Sequence, residues 1–326
     1  MSSPLRPDSL NHIRRVSTPE DLLAVADLVE IAFDLRNDVE GQVVIRQMRR
    51  VARQRSAAAI RALRSSSEGF VWVEDGQIIG NVTLIYFSTP LKNRVLIANV
   101  AVSPAFQHQG IGTALTDYAM RYLMRKPEAE IWLQVRSDNA QAIHIYTKYG
   151  FKFDHAISQW HHPPVSSLPR PGASHFPHTF QVSSRRPADW ALQSEWLELN
   201  YPKNTRWYQN LDFASFSPWA WLNPAAWFQI PSLQHKALRF EGQLIGVLTW
   251  QQTTQSADNI WLALPDGPQE DIAAEILLRH LLEELRPNRY LQLEYPARRA
   301  ATGILNAGFL FSRNLDWMRF TGSLSD

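Results

Sequence analysis

The 326-residue sequence contains no cysteine, which excludes disulfide bonds, thiolate zinc sites and any covalent cysteine intermediate. No apolar run approaches the roughly 18 residues that a membrane-spanning helix needs. The first residues, MSSPLRPDSLNHIRR, lack the apolar core of a signal peptide, so we expect a cytoplasmic protein. A formal net charge of only +2 gives the chain as a whole no polyanion-binding character.

The composition, with 45% hydrophobic and 20% charged residues, is that of a globular protein. The length is sufficient for two domains. Two pairs of segments are similar. EDGQIIGNVTL (74–84) resembles FEGQLIGVLTW (240–250), and YGFKF (149–153) resembles AGFLF (307–311). Their common order and comparable separation favour a duplicated fold over a chance similarity of two glycine turns.

The predicted elements place both halves in the α/β (α+β) class. In the first half, early helices and a strand pair are followed by alternating strands and helices at 94–103, 110–125, 130–136, 139–149 and 151–157. This order indicates a twisted, partly parallel sheet with helices on both faces. The second half repeats it. We expect tandem domains at 1–157 and 185–326, joined by a linker at 158–184 that is rich in Pro, Ser and His.

The stretch FQHQGIGTAL (106–115) lies between a predicted strand, VLIANVAV (95–102), and a predicted helix. Unpaired backbone N–H groups and the helix dipole make such a junction suited to an anion, and glycines allow close approach to the backbone. The loop lacks both the Gly-Lys-Ser/Thr of a P-loop and the three glycines of a dinucleotide site. For the glycines alone, a tight turn is the simpler interpretation.

Two segments together resemble the GNAT superfamily of acyl-CoA-dependent N-acetyltransferases. The segment QHQGIG (107–112) is similar to the superfamily's Gln/Arg-x-x-Gly-x-Gly/Ala loop, and LQVRSDNAQAIHIYTKYGF (133–151) is similar to its second conserved segment. The resemblance covers about residues 12–157. It implies that each half is a GNAT-like domain, that acetyl-CoA is the acyl donor, and that no metal is required. It also implies a set of cofactor-binding residues: Val100, Ala101, Val102, Gln107, His108, Gln109, Gly110, Ile111, Gly112, Thr113, Asn139 and Tyr146.

The resemblance also implies catalytic roles. The Val102 N–H would polarise the thioester carbonyl, and Tyr146 would act as the general acid toward the leaving thiolate. The alternative for Tyr146 is a helix residue that packs on the sheet. Relatives that acetylate ribosomal proteins have a glutamate five residues before the Asn, where this chain has Gln134, which cannot accept a proton. The general base is therefore not identified, and an α-amino acceptor with a pKa of about 8 would need less assistance.

Three acidic residues lie where GNAT proteins shape the acceptor pocket: Asp34, Asp38 and Glu40. They could attract a cationic amine, or they could cap helices and be solvated. Arg46, Arg49, Arg50 and Arg53 fall at helical spacing, with Arg55, Arg61 and Arg64 following. This pattern is typical of a solvated helix face but could also bind nucleic acid or an acidic substrate. The histidines at 155–178 are too irregularly spaced to predict a metal site. The many tryptophans of the second half could line an apolar groove, although core packing is the more ordinary interpretation.

The second half reads LALPDGPQEDIAAEILL (262–278) where the first half has its glycine loop. Asp266, Glu270 and Asp271 would repel a diphosphate there, so we expect a degenerate repeat and one cofactor site per chain. We predict an N-acetyltransferase that moves an acetyl group to a primary amine of a small molecule by direct attack. Peptide or protein N-terminal or lysine acetylation, and a non-catalytic acyl-CoA sensor, remain alternatives. Neither a membrane nor a nucleic acid is expected as a partner, and the internal repeat favours a monomer.

Overall fold

A computed structural model describes residues 11–35, 39–54, 67–88, 92–125, 129–164, 176–203, 205–209, 212–220, 233–253, 257–285 and 289–322. The chain forms two compact units. Unit 1 contains residues 1–155 together with 316–326, and unit 2 contains residues 156–315. Within the described residues, no helix is both long enough and apolar enough to cross a membrane.

These units differ from the predicted domains in two places. The last strand of the chain crosses from unit 2 into unit 1 at residue 316. The stretch predicted as a linker, 158–184, contains the end of one strand and the whole of another, and residues 165–175 lie outside the described part. Local composition identifies prolines and serines, but it does not show which distant strand a segment pairs with, so the prediction ended the first of these strands too early and missed the second.

Unit 1 is a mixed sheet with helices on both faces. Its strands are ordered β1-β2-β3-β4-β5-β12-β6, with β4 and β5 parallel and β1 to β4 antiparallel. The element bounds are β1 Ile13–Arg15, α1 Pro19–Ala32, α2 Val39–Gln54, β2 Ser67–Glu74, β3 Gln77–Ser88, β4 Asn93–Val102, α3 Ile111–Met124, β5 Ala129–Arg136, α4 Ala140–Lys148, β6 Phe151–His162 and, from unit 2, β12 Leu310–Phe320.

Helix α1 begins where the sequence carries several start signals together. Thr18 caps the helix by accepting from the Asp21 N–H, the Asp21 carboxylate accepts from the Thr18 N–H, and Pro19 occupies the first turn. Arg14 on β1 donates two hydrogen bonds to the same carboxylate, which holds the pKa of Asp21 far below its usual range. One buried aspartate therefore joins the first strand to the first helix.

The alternation of apolar residues on the strands of unit 1 divides its core into two layers. Phe70 and Leu84 pack with Leu115 and Tyr146 on the face covered by α3 and α4. Val71, the next residue on β2, packs instead with residues of α1 and α2 on the opposite face. Successive side chains of a strand point to opposite faces, so a sheet covered on both sides must be apolar on both.

Unit 2 repeats this arrangement with elements from the second half of the chain. Its strands are ordered β7-β8-β9-β10-β11-β6-β12, with β10 and β11 parallel. The bounds are β7 Phe180–Ser184, α5 Trp190–Asn200, β8 Leu233–Phe240, β9 Gln243–Gln251, β10 Ala257–Ala263, α6 Glu270–His280, β11 Tyr290–Pro296 and α7 Ala301–Asn306.

A glycine on the third strand of each unit shows how closely the two correspond. A Cβ at Gly80 would lie 2.9–3.0 Å from Leu115 and Ile111 of α3, and a Cβ at Gly246 would lie 3.2 Å from Leu277 of α6. Each glycine thus lets a helix pack directly on the sheet, because any larger residue would push that helix away. Leu115 and Leu277 therefore occupy equivalent positions in the two units.

Unit 2 contains a buried polar network next to its core. His235 on β8 and Gln193 on α5 both contact the hydroxyl of Thr249, and Arg185 donates to the Gln193 amide oxygen. Burial, assisted by the nearby positive charge of Arg185, lowers the pKa of His235 to about 3. The histidine is therefore neutral in the folded protein at every pH at which the chain is ordinarily handled.

We expect acid to destabilise the chain through His235. Its folded-state pKa lies below the unfolded value of 6.5, so its contribution is complete above pH 6.5 and is lost as the pH falls toward 3. Between pH 7 and pH 5 this amounts to about 2 kcal/mol of unfolding free energy. Urea denaturation followed by tryptophan fluorescence should show that this portion disappears in His235→Asn. Identical pH dependence in the two proteins would contradict the assignment.

Candidate active site

The two parallel strands of unit 1 separate part-way along their length. Pairing between β4 and β5 ends at Ile97 and Leu133, although β4 continues to Val102. The Ser103 N–H donates to the Ile79 carbonyl of β3, and consecutive N–H groups on a strand alternate in direction. The Val102 N–H therefore points away from β3, to the side on which β5 has diverged. A backbone donor is thus available in the gap between the strands.

A bulge in β4 lies beside this gap. Thr83 pairs with Ala98 and Asn81 pairs with Ala101, so two residues of β4 oppose the single residue Val82 of β3. One of these two, Asn99, has a left-handed backbone with φ of 51°. No local sequence signal marks a bulge, because it depends on the register between two strands, so this bulge was not predicted.

The predicted anion loop joins β4 to α3. Gly110 is the N-cap of α3 with φ of 83°, and the cap has no side-chain hydrogen bond. Among the described residues, a Cβ at Gly110 would have no neighbour within 4 Å, and one at Gly112 would meet Val102 alone, at 3.7 Å. The space above these glycines is therefore open. Most of the predicted loop residues are exposed: Gln107, His108, Gln109, Gly110 and Thr113, with Gly112 half-buried and Ile111 buried.

Two loop residues also have structural roles. The Gln107 side chain donates to the Val102 carbonyl at 3.2 Å and so fixes the loop to the end of β4. His108 has a left-handed φ of 61°, which turns the chain toward the helix. The first N–H of α3 that bonds within the helix is that of Ala114, to the Gly110 carbonyl. The N–H groups before it are those that a helix start presents to an anion.

Helix α4 holds the other two predicted site residues. Asn139 caps the helix, since its side-chain oxygen accepts from the Ala142 N–H at 3.0 Å, and its amide nitrogen makes no hydrogen bond with the described residues. Tyr146 lies about two helical turns further on and is 7% exposed, with its ring edge-to-face against Phe151. Burial raises the pKa of Tyr146 to about 12.

Other candidate residues are distributed as follows. Asp34 is exposed and has a left-handed φ of 48° in the turn after α1. Asp38 lies outside the described residues, and Glu40 lies in the first turn of α2. Arg49 of α2 forms ion pairs with Asp27 and Glu30 of α1, so at least this one of the arginines at helical spacing has a structural role. Within the described residues, no group of three or more His, Asp or Glu side chains could hold a metal ion.

Comparisons with known proteins show which family this part of the chain is similar to. A model of the acetyltransferase (GNAT) family matches residues 32–151. The ribosomal protein bS18-alanine N-acetyltransferase of Escherichia coli strain K12 is 33% identical over 72 residues, which are 22% of this chain and 49% of that protein. The streptothricin acetyltransferase of Streptomyces lavendulae is 31% identical over 116 residues, covering 33% of this chain and 60% of that protein.

Residues 32–151 are a GNAT domain. The fold of the rest follows from a solved tandem GNAT protein of the clavulanic acid biosynthesis pathway, which has 16% sequence identity and a TM-score of 0.50 over 96% of this chain and 100% of that one. The predicted fold class and the predicted tandem repeat are therefore confirmed. The match spans 49% of the length of the E. coli relative and 60% of the length of the Streptomyces relative.

The second GNAT-like unit has the same parting of strands, but its own side chains fill the gap. Pairing between β10 and β11 ends at Ile260 and Leu293. Beyond it, the Leu262 N–H donates to the Tyr201 hydroxyl at 3.2 Å, and the Asn200 amide donates to the Leu262 and Leu264 carbonyls. Leu115 and Leu277 are equivalent. Leu262 precedes Leu277 by as many residues as Val100 precedes Leu115, so Leu262 is the counterpart of Val100. By the same count, Leu264 is the counterpart of Val102.

The helix start of unit 2 is occupied as well. The Glu270 carboxylate, in the first turn of α6, accepts from Arg299 at 2.6 Å and from Tyr295 at 2.7 Å. The Gly303 N–H of α7 donates to Asp271, and a Cβ at Gly303 would overlap the carbonyl of that residue. Helix α7 therefore lies directly against the start of α6, where unit 1 has open space above Gly110.

We expect Tyr201→Phe to destabilise the protein. The change leaves the buried Leu262 N–H without an acceptor, which costs about 1–3 kcal/mol of unfolding free energy. Tyr118→Phe is the matched control, because the Tyr118 hydroxyl makes no hydrogen bond with the described residues, and it should change stability by less than about 0.5 kcal/mol. Urea denaturation of both variants makes the comparison. Equal stability of the two would show that Tyr201 does not satisfy this N–H.

Proposed function

We propose that unit 1 binds acetyl-CoA and transfers its acetyl group to a primary amine of a small molecule, which makes the chain an N-acetyltransferase. The observation that supports this best is the position of the Val102 N–H. It points into the gap between β4 and β5, next to a helix start that is capped by Gly110 and has no side-chain cap.

The residues of unit 1 fit such a donor. A diphosphate needs several N–H groups that converge on open space, and the loop 107–113 provides a left-handed glycine cap, open space above Gly110 and the first N–H groups of α3. An extended pantetheine chain needs backbone partners, which β4 can supply where β5 no longer pairs with it. In unit 2, the Tyr201 hydroxyl and the Asn200 amide fill the corresponding positions, which supports one acyl-CoA site per chain.

Bound acetyl-CoA supplies a thioester whose carbonyl carbon can be attacked by an amine. The Val102 N–H is suited to donate a hydrogen bond to the carbonyl oxygen, where negative charge develops. Tyr146 is suited to donate to the leaving sulfur. Its pKa of about 12 lies well above the roughly 8.5 of a thiol, so complete proton transfer is about 5 kcal/mol uphill. The phenol therefore acts mainly as a hydrogen-bond donor and remains protonated.

The acceptor must lose a proton before or during attack. Gln134, on the part of β5 beyond the last pair with β4, cannot accept one. An amine with a pKa near 8 is partly neutral at pH 7 and needs no strong base, whereas a lysine-like amine is neutral in fewer than about one molecule in a thousand. We therefore propose an acceptor with a weakly basic amine, and a role for Asp34 in attracting its cationic form.

Two alternatives are supported by particular observations. The similarity to an enzyme named for the alanine of a ribosomal protein favours a peptide or protein acceptor. The glutamine at position 134 favours an acyl-CoA sensor without activity. Release of CoA from acetyl-CoA, measured over a panel of small amines, N-terminal peptides and lysine peptides, distinguishes the three. If CoA release stays at background with every acceptor although acetyl-CoA binds tightly, only the sensor alternative remains.

We expect one acetyl-CoA to bind per chain, through the glycine loop. Gly110→Ala should lower the affinity at least tenfold, because alanine disfavours a φ of 83° and its methyl group enters the anion site. Gly76→Ala is the control: Gly76 has a similar φ of 77° and open surroundings, but lies in the β2–β3 turn. Titration calorimetry measures both. Two molecules per chain, or equal affinity of the two variants, would argue against the site.

We expect Tyr146→Phe to lower kcat by about 100-fold, because it removes the donor to the leaving group. The shape of the pH–rate profile below pH 10 should not change, since a phenol with a pKa of about 12 stays protonated throughout that range. Tyr149→Phe is the control, because the Tyr149 hydroxyl contacts Asp117 of α3 at 3.3 Å and has a structural role. Unchanged kcat in Tyr146→Phe would exclude the assigned role.

A further inference from the structure

Asn81 is a fully buried polar residue in the middle of the sheet of unit 1. It lies on β3 opposite Ala101, directly after Gly80, and its side chain is 0% exposed. Its amide nitrogen donates to the Asn99 carbonyl at 2.9 Å and to the Thr83 hydroxyl at 3.2 Å. Asn81 therefore bonds to the backbone of the residue with the left-handed conformation in the β4 bulge.

This bond lies where β4 needs external support. A left-handed backbone costs a residue other than glycine about 1–3 kcal/mol, and it persists only when its surroundings hold it. The bulge adds one residue to β4 between Ala98 and Ala101. With the register up to Ala98 held, the extra residue reverses the alternation of this strand, so that Val102 lies opposite Gly80 with its N–H toward the gap. Support for Asn99 is thus support for the direction of the Val102 N–H.

Unit 2 provides an internal comparison. Val247 follows Gly246 as Asn81 follows Gly80, and Val247 pairs with Ala263 in a ladder that continues without a bulge from Asn259. There the side chains of Asn200 and Tyr201 fill the gap. The unit with asparagine has the bulge and the open gap. The unit with valine has neither.

The energetics of Asn81 also indicate a role other than stability. Its side-chain oxygen is buried and has no hydrogen-bond partner among the described residues. An unsatisfied buried polar atom is a net cost to folding, and an apolar residue of similar size would avoid that cost.

We propose that Asn81 is a positioning residue for the acyl-transfer reaction: its amide holds the Asn99 carbonyl, maintains the β4 bulge and thereby aims the Val102 N–H at the thioester oxygen. This rests on the proposed function of unit 1. Asn81 touches neither the cofactor nor the acceptor and acts only through the backbone of β4.

The test is Asn81→Val, which introduces the valine that unit 2 has at the equivalent position, Val247. We expect kcat for CoA release to fall about 10- to 100-fold, because a small displacement of a catalytic donor has an effect of that size. The affinity for free CoA should change by less than about threefold, since the loop 107–113 is untouched. The melting temperature should change little, because the variant removes the unsatisfied Asn81 oxygen but also the donor to the Asn99 carbonyl. Thr83→Val is the control. It removes the second acceptor of the Asn81 amide, keeps the bond to Asn99, and should leave kcat within about twofold of the wild type.

A rescue experiment separates positioning from general damage. In Asn81→Val/Asn99→Gly, glycine adopts a positive φ without strain, so the bulge no longer needs Asn81, and we expect recovery of at least about fivefold in kcat. Asn81→Val with wild-type kcat, or a double variant no better than the single one, would overturn the inference while acetyl-CoA binding by the wild type still supports the proposed function. A wild-type chain that binds no acetyl-CoA would overturn both.

Discussion

The parting of two parallel strands is the feature on which the rest of unit 1 depends. Beyond Ile97 and Leu133 the backbone groups of β4 lose a strand partner that a parallel sheet would ordinarily provide. Buried backbone N–H and C=O groups must be satisfied, so such a gap persists only if something else supplies partners. In unit 1 the gap lies beside a glycine-capped helix start, and an extended ligand with carbonyl and phosphate oxygens would satisfy both.

In unit 2, the backbone groups in the corresponding gap bond to side chains of the unit itself. Tyr201 and Asn200, at the end of α5, satisfy Leu262 and Leu264, and Arg299 with Tyr295 neutralises the carboxylate at the start of α6. The predicted repulsion of a diphosphate by Asp266, Glu270 and Asp271 would thus be only part of the reason that unit 2 binds no acyl-CoA in the proposed function. The carboxylates of Glu270 and Asp271 already have partners within the unit.

The environment of Tyr146 changes what can be expected of it. At a reference pKa of about 10, proton transfer to a thiolate would be modestly uphill; at about 12 it is considerably more so. In the proposed reaction, the buried tyrosine would therefore contribute by directing a hydrogen bond, and its protonation would not limit the rate in the neutral range. The helix cap formed by Asn139 fixes the start of α4 and so the direction of the tyrosine.

Much of unit 1 could be predicted from the sequence, because the relevant signals are local. Glycines next to a strand end, an Asn before a helical repeat, and alternating apolar residues each act over a few positions, and these identified the loop 107–113, α4 and the mixed sheet. The repeat was visible because Gly80 and Gly246 occupy equivalent sites, where any side chain would displace a helix.

What only the tertiary structure decided depends on pairing between distant residues. The last strand of the chain joins unit 1 although its sequence follows the second repeat, and the bulge at Asn99 exists only in the register of β4 with β3. The same holds for the filled gap of unit 2, since Tyr201 and Leu262 are far apart in sequence. By itself, the sequence determined the resemblance to the family and the position of the glycine loop, since both reside in short segments. Register and long-range contacts determined which backbone N–H faces the site.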